Sequence, residues 1–267
     1  MKKWQKLAGG GALAFALVAG AAGSASAAPV IATWSYEINN AFTDWDPAVG
    51  VEGSNPNPVL GGATRLEWPS GSLTDRSALE VDSFVSGNNL VTNGSAVAGA
   101  GIRHENNPIA SNRADEFLTG GRLSVQATLT PFSPAAGGSV GPIDAFFEFL
   151  FMETANESPC GYPSGSTCDD IFLLVAAGGT EYSFDFLEET YTLFFGADAL
   201  APLGAAECGL FGFEAGCIGF KTTENGLTEF GTNLRITGPR VVPEPGMLAL
   251  LGAGLVALGV VRRRKTA

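Results

Sequence analysis

Short apolar segments alternate with turns rich in glycine, proline, asparagine and aspartate between residues 28 and 240. In the clearest segments every second residue is apolar: Leu123, Val125, Ala127 and Leu129 in one, and Tyr182, Phe184 and Phe186 in another. A period of two predicts β-strands that bury one face. Further strands are predicted at residues 31–38, 64–68, 78–81, 146–152, 171–176, 190–195, 217–221 and 233–237.

The strand at residues 146–152 is apolar on both faces except at Glu148, which is typical of a central strand covered on both sides. No helical period of ten residues or more occurs outside the two ends of the chain, and no internal repeat is visible. The length of residues 28–240 corresponds to about one domain. These patterns predict an all-β domain, an antiparallel jelly-roll-like β-sandwich.

The N-terminal segment has the organisation of a secretory signal peptide. Lys2, Lys3 and Lys6 precede the apolar residues 7–22, and Ala25-Ser26-Ala27 provides small residues for cleavage. The signal peptide is therefore predicted at residues 1–27. The first cysteine is Cys160, so a lipid-bearing N-terminal cysteine is excluded.

The C-terminal segment, residues 241–267, has three parts. Pro243, Glu244 and Pro245 come first, an apolar stretch at residues 246–261 follows, and a basic cluster ends the chain: Arg262, Arg263, Arg264 and Lys265. At about 1.5 Å per residue, a helix over the stretch covers roughly 24 Å of a hydrocarbon core about 30 Å thick. We expect a short transmembrane helix that inserts transiently in the inner membrane, with its basic tail in the cytoplasm.

This order of parts resembles the PEP-CTERM sorting signal, which membrane-embedded exosortases of biofilm-forming bacteria recognise. The resemblance implies export by signal peptidase and the general secretion machinery, processing by an exosortase, and a final place at the cell surface or outside the cell. It also implies a role in a biofilm or exopolysaccharide matrix, with exopolysaccharide as a candidate partner. An ordinary single-pass anchor is the alternative.

Charge changes this picture little. Residues 28–240 contain 8 lysines and arginines and 26 aspartates and glutamates, a formal net charge of −18. Such a domain repels nucleic acid and anionic lipids or polysaccharides, and it favours solubility, cations or basic partners.

Four cysteines in an exported protein predict two disulfides. Cys160 lies near Cys168 and Cys208 near Cys217, so local pairing is entropically the easiest of the three connectivities. Neither spacing is Cys-x-x-Cys, which disfavours a zinc site.

The only histidine lies in residues 103–109, Arg-His-Glu-Asn-Asn-Pro-Ile. The motif resembles that of the THxN family of PEP-CTERM proteins, with matches at His104, Asn106, Asn107 and Pro108. Similarity extends to residues 168–172 and 219–225, but Arg103 replaces the motif threonine. The resemblance implies an exported β-rich protein and assigns no catalytic residue.

His104 itself could be a general base, a metal ligand or a loop strut whose side chain bonds the backbone. No Gly-x-Ser-x-Gly elbow accompanies it, so the strut is favoured and we expect no enzyme activity and no catalytic residues. No cofactor is predicted, although the acidic residues leave a structural calcium ion open, with Asp169 and Asp170 as its candidate ligands.

The expected function is that of a non-enzymatic surface or matrix protein. One alternative is a carbohydrate-binding module, for which Trp34, Trp45 and Trp68 are platform candidates, although strand tryptophans are more often core residues. The other alternative is a secreted hydrolase.

Overall fold

The computed structural model describes residues 29–71, 76–109, 111–154, 162–164 and 168–240, together with Gly252 and Gly254. Within these ranges it contains 14 strands, one short α-helix, α1 (Ala205–Leu210), and a 3₁₀ helix at Ser111–Glu116. The strands are β1 (Thr33–Asp46), β2 (Glu52–Pro56), β3 (Ala63–Trp68), β4 (Ser77–Val81), β5 (Phe84–Val91), β6 (Val97–Asn106), β7 (Gly120–Ser133), β8 (Val140–Met152), β9 (Asp170–Gly178), β10 (Glu181–Phe186), β11 (Glu189–Ala197), β12 (Ala201–Pro202), β13 (Ile218–Thr222) and β14 (Gly226–Thr237). The all-β prediction is confirmed.

The strands form one continuous antiparallel sheet that curls. Its order is β10-β11-β14-β6-β4-β3-β1-β7-β8-β9-β13-β12, with β2 paired to β3 and β5 paired to β1. The sheet bends at β1. This strand pairs with β7 along most of its length but with β3 only through Phe42 and Ala63, so the β3 side of the sheet can turn away from the β7 side. Two layers therefore face each other, one containing β4, β6 and β14 and the other β8, β9 and β13.

Aromatic side chains fill the space between the layers. Phe172 of β9 stacks on Phe149 of β8 and on Phe220 of β13, with ring centroids 4.6 and 4.8 Å apart. From the opposite layer, Phe230 of β14 approaches Phe220 to 4.3 Å. The sequence predicted that residues 146–152 are covered on both sides, but β8 buries only one face, with Phe147, Phe149 and Phe151, and its other face is half-buried.

Strand β6 differs from the sequence prediction, which placed residues 103–109 in a loop. Its outward positions carry charges that form ion pairs: Arg103 with Asp82, which follows β4, at 2.7 Å, and Glu105 with Arg65 of β3 at 2.9 Å. Charged side chains with two glycines, Gly99 and Gly101, obscured the alternation of buried Ala100, Ile102, His104 and Asn106.

Two of the predicted tryptophan positions are core. Trp34 and Trp68 are fully buried, and only Trp45 is partly exposed. A three-tryptophan sugar platform is therefore wrong, and Trp45 alone of the three remains accessible.

The disulfide between Cys208 and Cys217 is confirmed, and it joins the end of α1 to the start of β13. Cys168 is also disulfide-bonded, while its predicted partner Cys160 lies outside the described residues. The predicted signal peptide at residues 1–27 and the sorting residues 243–245 and 262–264 lie outside them too. Gly252 and Gly254, inside the predicted membrane segment, are helical.

Candidate functional site

His104 lies between the two layers of the curled sheet. Its ring is fully buried, stacks on the indole of Trp68 with planes 13° apart and centroids 5.7 Å apart, and meets the ring of Phe151 edge-on at 5.0 Å. Burial lowers the pKa of His104 to about 3, so the imidazole is neutral at physiological pH. A buried side chain in a central strand is not the loop strut that the sequence predicted.

A row of polar side chains crosses the layer opposite His104. Thr222 of β13 is the direct partner of Asp170 of β9. Met152 of β8 is the partner of Ile171, so Glu153, one residue further along the chain, falls opposite Asp170. Side chains that are paired across neighbouring strands point to the same face. Glu153, Asp170 and Thr222 therefore form one row over three strands.

This row is the polar continuation of the aromatic core. Phe151, Phe172 and Phe220 are paired in the same way, and each lies two residues from a member of the polar row. Because side chains alternate with a period of two, the polar row faces the interior as the phenylalanines do. Asp170 and Thr222 are accordingly fully buried.

Two contacts join the row to the opposite layer. The Nε1–H of Trp68 donates to Glu153 Oε2 at 2.8 Å, and Asn106 Nδ2 donates to the backbone oxygen of Thr222 at 3.3 Å. Asp170 lies between these contacts in the order of the row. From here on, the name polar row covers Glu153, Asp170 and Thr222 together with Asn106, which meets them from the opposite layer.

Each carboxyl of the polar row has one oxygen held and one buried oxygen without a hydrogen bond within the described part of the chain. Asp170 Oδ1 accepts from the backbone N–H of Thr154 at 2.8 Å, while Asp170 Oδ2 is unbonded. Glu153 Oε2 accepts from Trp68, while Glu153 Oε1 is unbonded. Asn106 Oδ1 and Thr222 Oγ1 are buried and unbonded in the same sense.

Burial and mutual repulsion dominate the electrostatics here. Burial raises the pKa of Glu153, and the neighbouring charge of Asp170 raises it further. Burial likewise raises the pKa of Asp170, against the opposing hydrogen bond from Thr154, and the charge of Glu224 adds to the increase. The two carboxyls thus compete to avoid carrying charge together, and a proton or a cation would relieve that repulsion.

The predicted motif residues divide between this interior and the outside. Asn106 donates a hydrogen bond to a backbone carbonyl, whereas neither nitrogen of His104 has a hydrogen bond to a described residue. Asn107 bonds the backbone oxygen of Arg76 at 2.7 Å, and Pro108 is exposed after the strand end. Arg103 lies on the outer face with Asp82, so the position of the motif threonine points away from His104.

Of the predicted acidic pair, only Asp170 belongs to the polar row. Asp169 precedes β9, and its backbone oxygen accepts a hydrogen bond from the hydroxyl of Tyr162. The sequence did not single out Glu153 or Thr222, and Trp68 was a candidate only for a sugar platform. A signal for Glu153 existed, because it extends the alternation Phe147, Phe149, Phe151 by one further inward position.

The described residues include no group of three or more His, Cys, Asp or Glu side chains that could hold a metal ion as they stand. They also include no helix long and apolar enough to cross a membrane.

A second feature is an open groove of about 260 Å³ where β1, β7 and β8 meet. Half-buried Trp45 lines it together with Asp44, Asp46, Arg122 and Glu148. The Trp45 ring lies over Gly53, where an added Cβ would stand 2.8 Å from two ring carbons. An aromatic ring beside polar groups is the usual composition of a small-ligand site.

Comparison with known proteins bears on the C-terminal segment. Residues 241–265 match the PEP-CTERM protein-sorting motif. This match indicates an exosortase-sorted protein, and hence one that is exported and passes through the membrane. No curated protein matches the chain.

Proposed function

We propose that this PEP-CTERM protein carries a non-enzymatic β-domain to the cell surface or into an extracellular matrix, where it is associated with a biofilm or exopolysaccharide. The observation that carries the proposal is the sorting motif at residues 241–265. The signal peptide, the short membrane helix, the jelly-roll-like arrangement and the kinship to the THxN family are parts of the same proposal.

The interior supports a non-enzymatic domain. His104 is the only histidine, its ring is fully buried, and its lowered pKa makes it a weak base at neutral pH. Glu153 and Asp170 have raised pKa values, but Asp170 is also fully buried. A hydrolase would need such groups within reach of its substrate.

The test compares two changes of positive charge near the C terminus. Replacing Arg262, Arg263, Arg264 and Lys265 by glutamine removes the basic tail, whereas Arg240→Gln changes one arginine before the motif. We expect the first variant to accumulate as an unprocessed precursor and the second to mature normally. Mass spectrometry of the mature C terminus measures this. An intact C-terminal peptide on most wild-type molecules would refute the proposal.

A carbohydrate-binding module is the second candidate, because the groove beside Trp45 combines an aromatic ring with carboxylates and an arginine. Trp45→Ala should then abolish retention of the protein on the exopolysaccharide of its own matrix. Tyr182→Ala, which removes an exposed aromatic on β10, should leave retention unchanged.

A further inference from the structure

We propose that the polar row is a binding site for a hard divalent cation, specifically Ca²⁺. The ligand atoms are four buried oxygens of the polar row that have no hydrogen bond to any described residue: Glu153 Oε1, Asp170 Oδ2, Asn106 Oδ1 and Thr222 Oγ1. This site is independent of the sorting motif.

The first argument is geometric. Glu153, Asp170 and Thr222 occupy adjacent positions across three strands, and neighbouring strands lie about 4.8 Å apart. Side chains of carboxylate length can bridge that spacing to meet at one ion. Asn106 closes the row from the opposite layer through its bond to the backbone of Thr222.

The second argument is the hydrogen-bond pattern. A buried polar atom without a partner costs about 1–3 kcal/mol, so several of them together need a physical reason. Each carboxyl of the polar row is held through one oxygen, and the amide of Asn106 is held through its nitrogen. The remaining oxygen of each of these groups has no hydrogen bond to a described residue. Anchoring one atom and leaving an oxygen inward is what orients a side chain as a ligand.

The third argument concerns the chemistry of the donors. All four are oxygens, two of them from carboxylates and one from an amide, which is the donor set that Ca²⁺ prefers. Ca²⁺ takes about 6–8 oxygens, so bidentate carboxylates and water would complete the shell. Only two of the four proposed ligands are Asp or Glu. The site is therefore compatible with the absence, among the described residues, of any metal-binding group of three or more His, Cys, Asp or Glu side chains.

The position of His104 distinguishes this site from a site for a softer metal such as zinc. It lies two residues before Asn106 on β6, against Trp68 and Phe151, in the aromatic part of the interior. Zinc would recruit an imidazole nitrogen. Because all four proposed ligands are oxygens, we assign the site to Ca²⁺, and His104 is a packed core residue.

The experiment uses the full-length chain, stripped with a chelator and then dialysed free of it. Calorimetric titration and thermal unfolding are measured with Ca²⁺, Mg²⁺ and Zn²⁺. Extracellular calcium modules have Kd values of about 10⁻⁴–10⁻³ M, so about 1 mM Ca²⁺ should raise the melting temperature of the wild type.

Asp170→Asn and Glu153→Gln keep the size of each side chain and remove its charge. Each should weaken Ca²⁺ binding about tenfold or more and lose the increase in melting temperature. The matched control is Asp144→Asn, which changes an exposed carboxyl on β8 that is bonded to Gln126 at 2.9 Å. Because this domain is strongly acidic, the control detects binding to surface charge alone.

Tryptophan emission provides a readout that does not depend on stability. Trp68 touches Glu153, so Ca²⁺ should change the emission of wild type and of Trp45→Phe, but not of Trp68→Phe. The proposal is overturned if wild type does not bind Ca²⁺, if Asp170→Asn and Glu153→Gln bind it as tightly as wild type, or if only Zn²⁺ binds and His104→Leu abolishes it.

Discussion

Trp68 donates its indole N–H to the carboxyl of Glu153 from the opposite layer of the curled sheet, at 2.8 Å. The same indole stacks on His104 and meets Phe151 at 5.3 Å. Trp68 therefore contacts both the aromatic interior and the polar row.

Trp68→Phe should lower the free energy of unfolding by about 1–3 kcal/mol beyond the lost ring volume, because Glu153 Oε2 loses its donor in a buried place. Urea unfolding measures the change. Trp45→Phe is the control, since Trp45 is half-buried in the open groove. Equal losses in both variants would show that the bond from Trp68 contributes nothing of its own.

The alternation of side chains was enough to predict most strands and the all-β class. The predicted range 31–38 overlaps β1 from residue 33 onward, and the ranges 64–68, 146–152 and 190–195 lie in β3, β8 and β11. Strand β6 was missed because its outer face bears Arg103 and Glu105, whose partners Asp82 and Arg65 come from distant parts of the chain. A local pattern cannot show such cross-strand pairing.

The polar row was predictable only in part. Asp170 was predicted as a calcium ligand together with its neighbour Asp169, and its proximity to Glu153 and Thr222 was not predicted. Glu153, Asp170 and Thr222 come together because of the register between β8, β9 and β13. That register depends on pairing between residues far apart in sequence, which a local pattern does not show. The motif identified Asn106 without showing that it reaches across to Thr222.

Arg103→Thr introduces the threonine of the motif that residues 103–109 resemble, and it should change the free energy of unfolding by less than about 1 kcal/mol. Its ion pairs with Asp82, Glu80 and Glu229 lie on a partly exposed face, where such pairs contribute little. The difference from wild type should shrink further in about 1 M salt, which screens exposed charges. A larger loss that salt does not reduce would contradict this.

Gly53→Ala should displace the ring of Trp45, because the new Cβ would stand 2.8 Å from ring carbons Cη2 and Cζ2. We expect a red shift of tryptophan emission and weaker retention on exopolysaccharide if the groove binds sugar. Gly137→Ala is the control, since an added Cβ there meets no atom within 4 Å. Unchanged emission in Gly53→Ala would show that the ring does not depend on this glycine.

His104 should make the protein less stable as the pH falls. Burial lowers its folded pKa from 6.5 to about 3, so below pH 6.5 the unfolded chain binds a proton that the folded chain refuses. The contribution of the neutral His104 to the free energy of unfolding is therefore fully present above pH 6.5. It is lost as the pH falls towards 3, by at most about 1.4 kcal/mol per pH unit. The raised pKa values of Glu153 and Asp170 act in the opposite sense, since their contribution is lost as the pH rises.

His104→Leu isolates the effect of the histidine because it keeps an apolar side chain of similar size between Trp68 and Phe151 and removes the titrating ring. Urea unfolding of both proteins from pH 4 to pH 7.5, in the presence of a chelator, gives two curves that share the carboxyl contributions. We expect the difference between the curves to be constant near pH 7.5 and to grow below pH 6.5 in favour of the variant. Parallel curves would mean that His104 takes up its proton equally well in the folded chain, and the dry aromatic surroundings described for it would then be wrong.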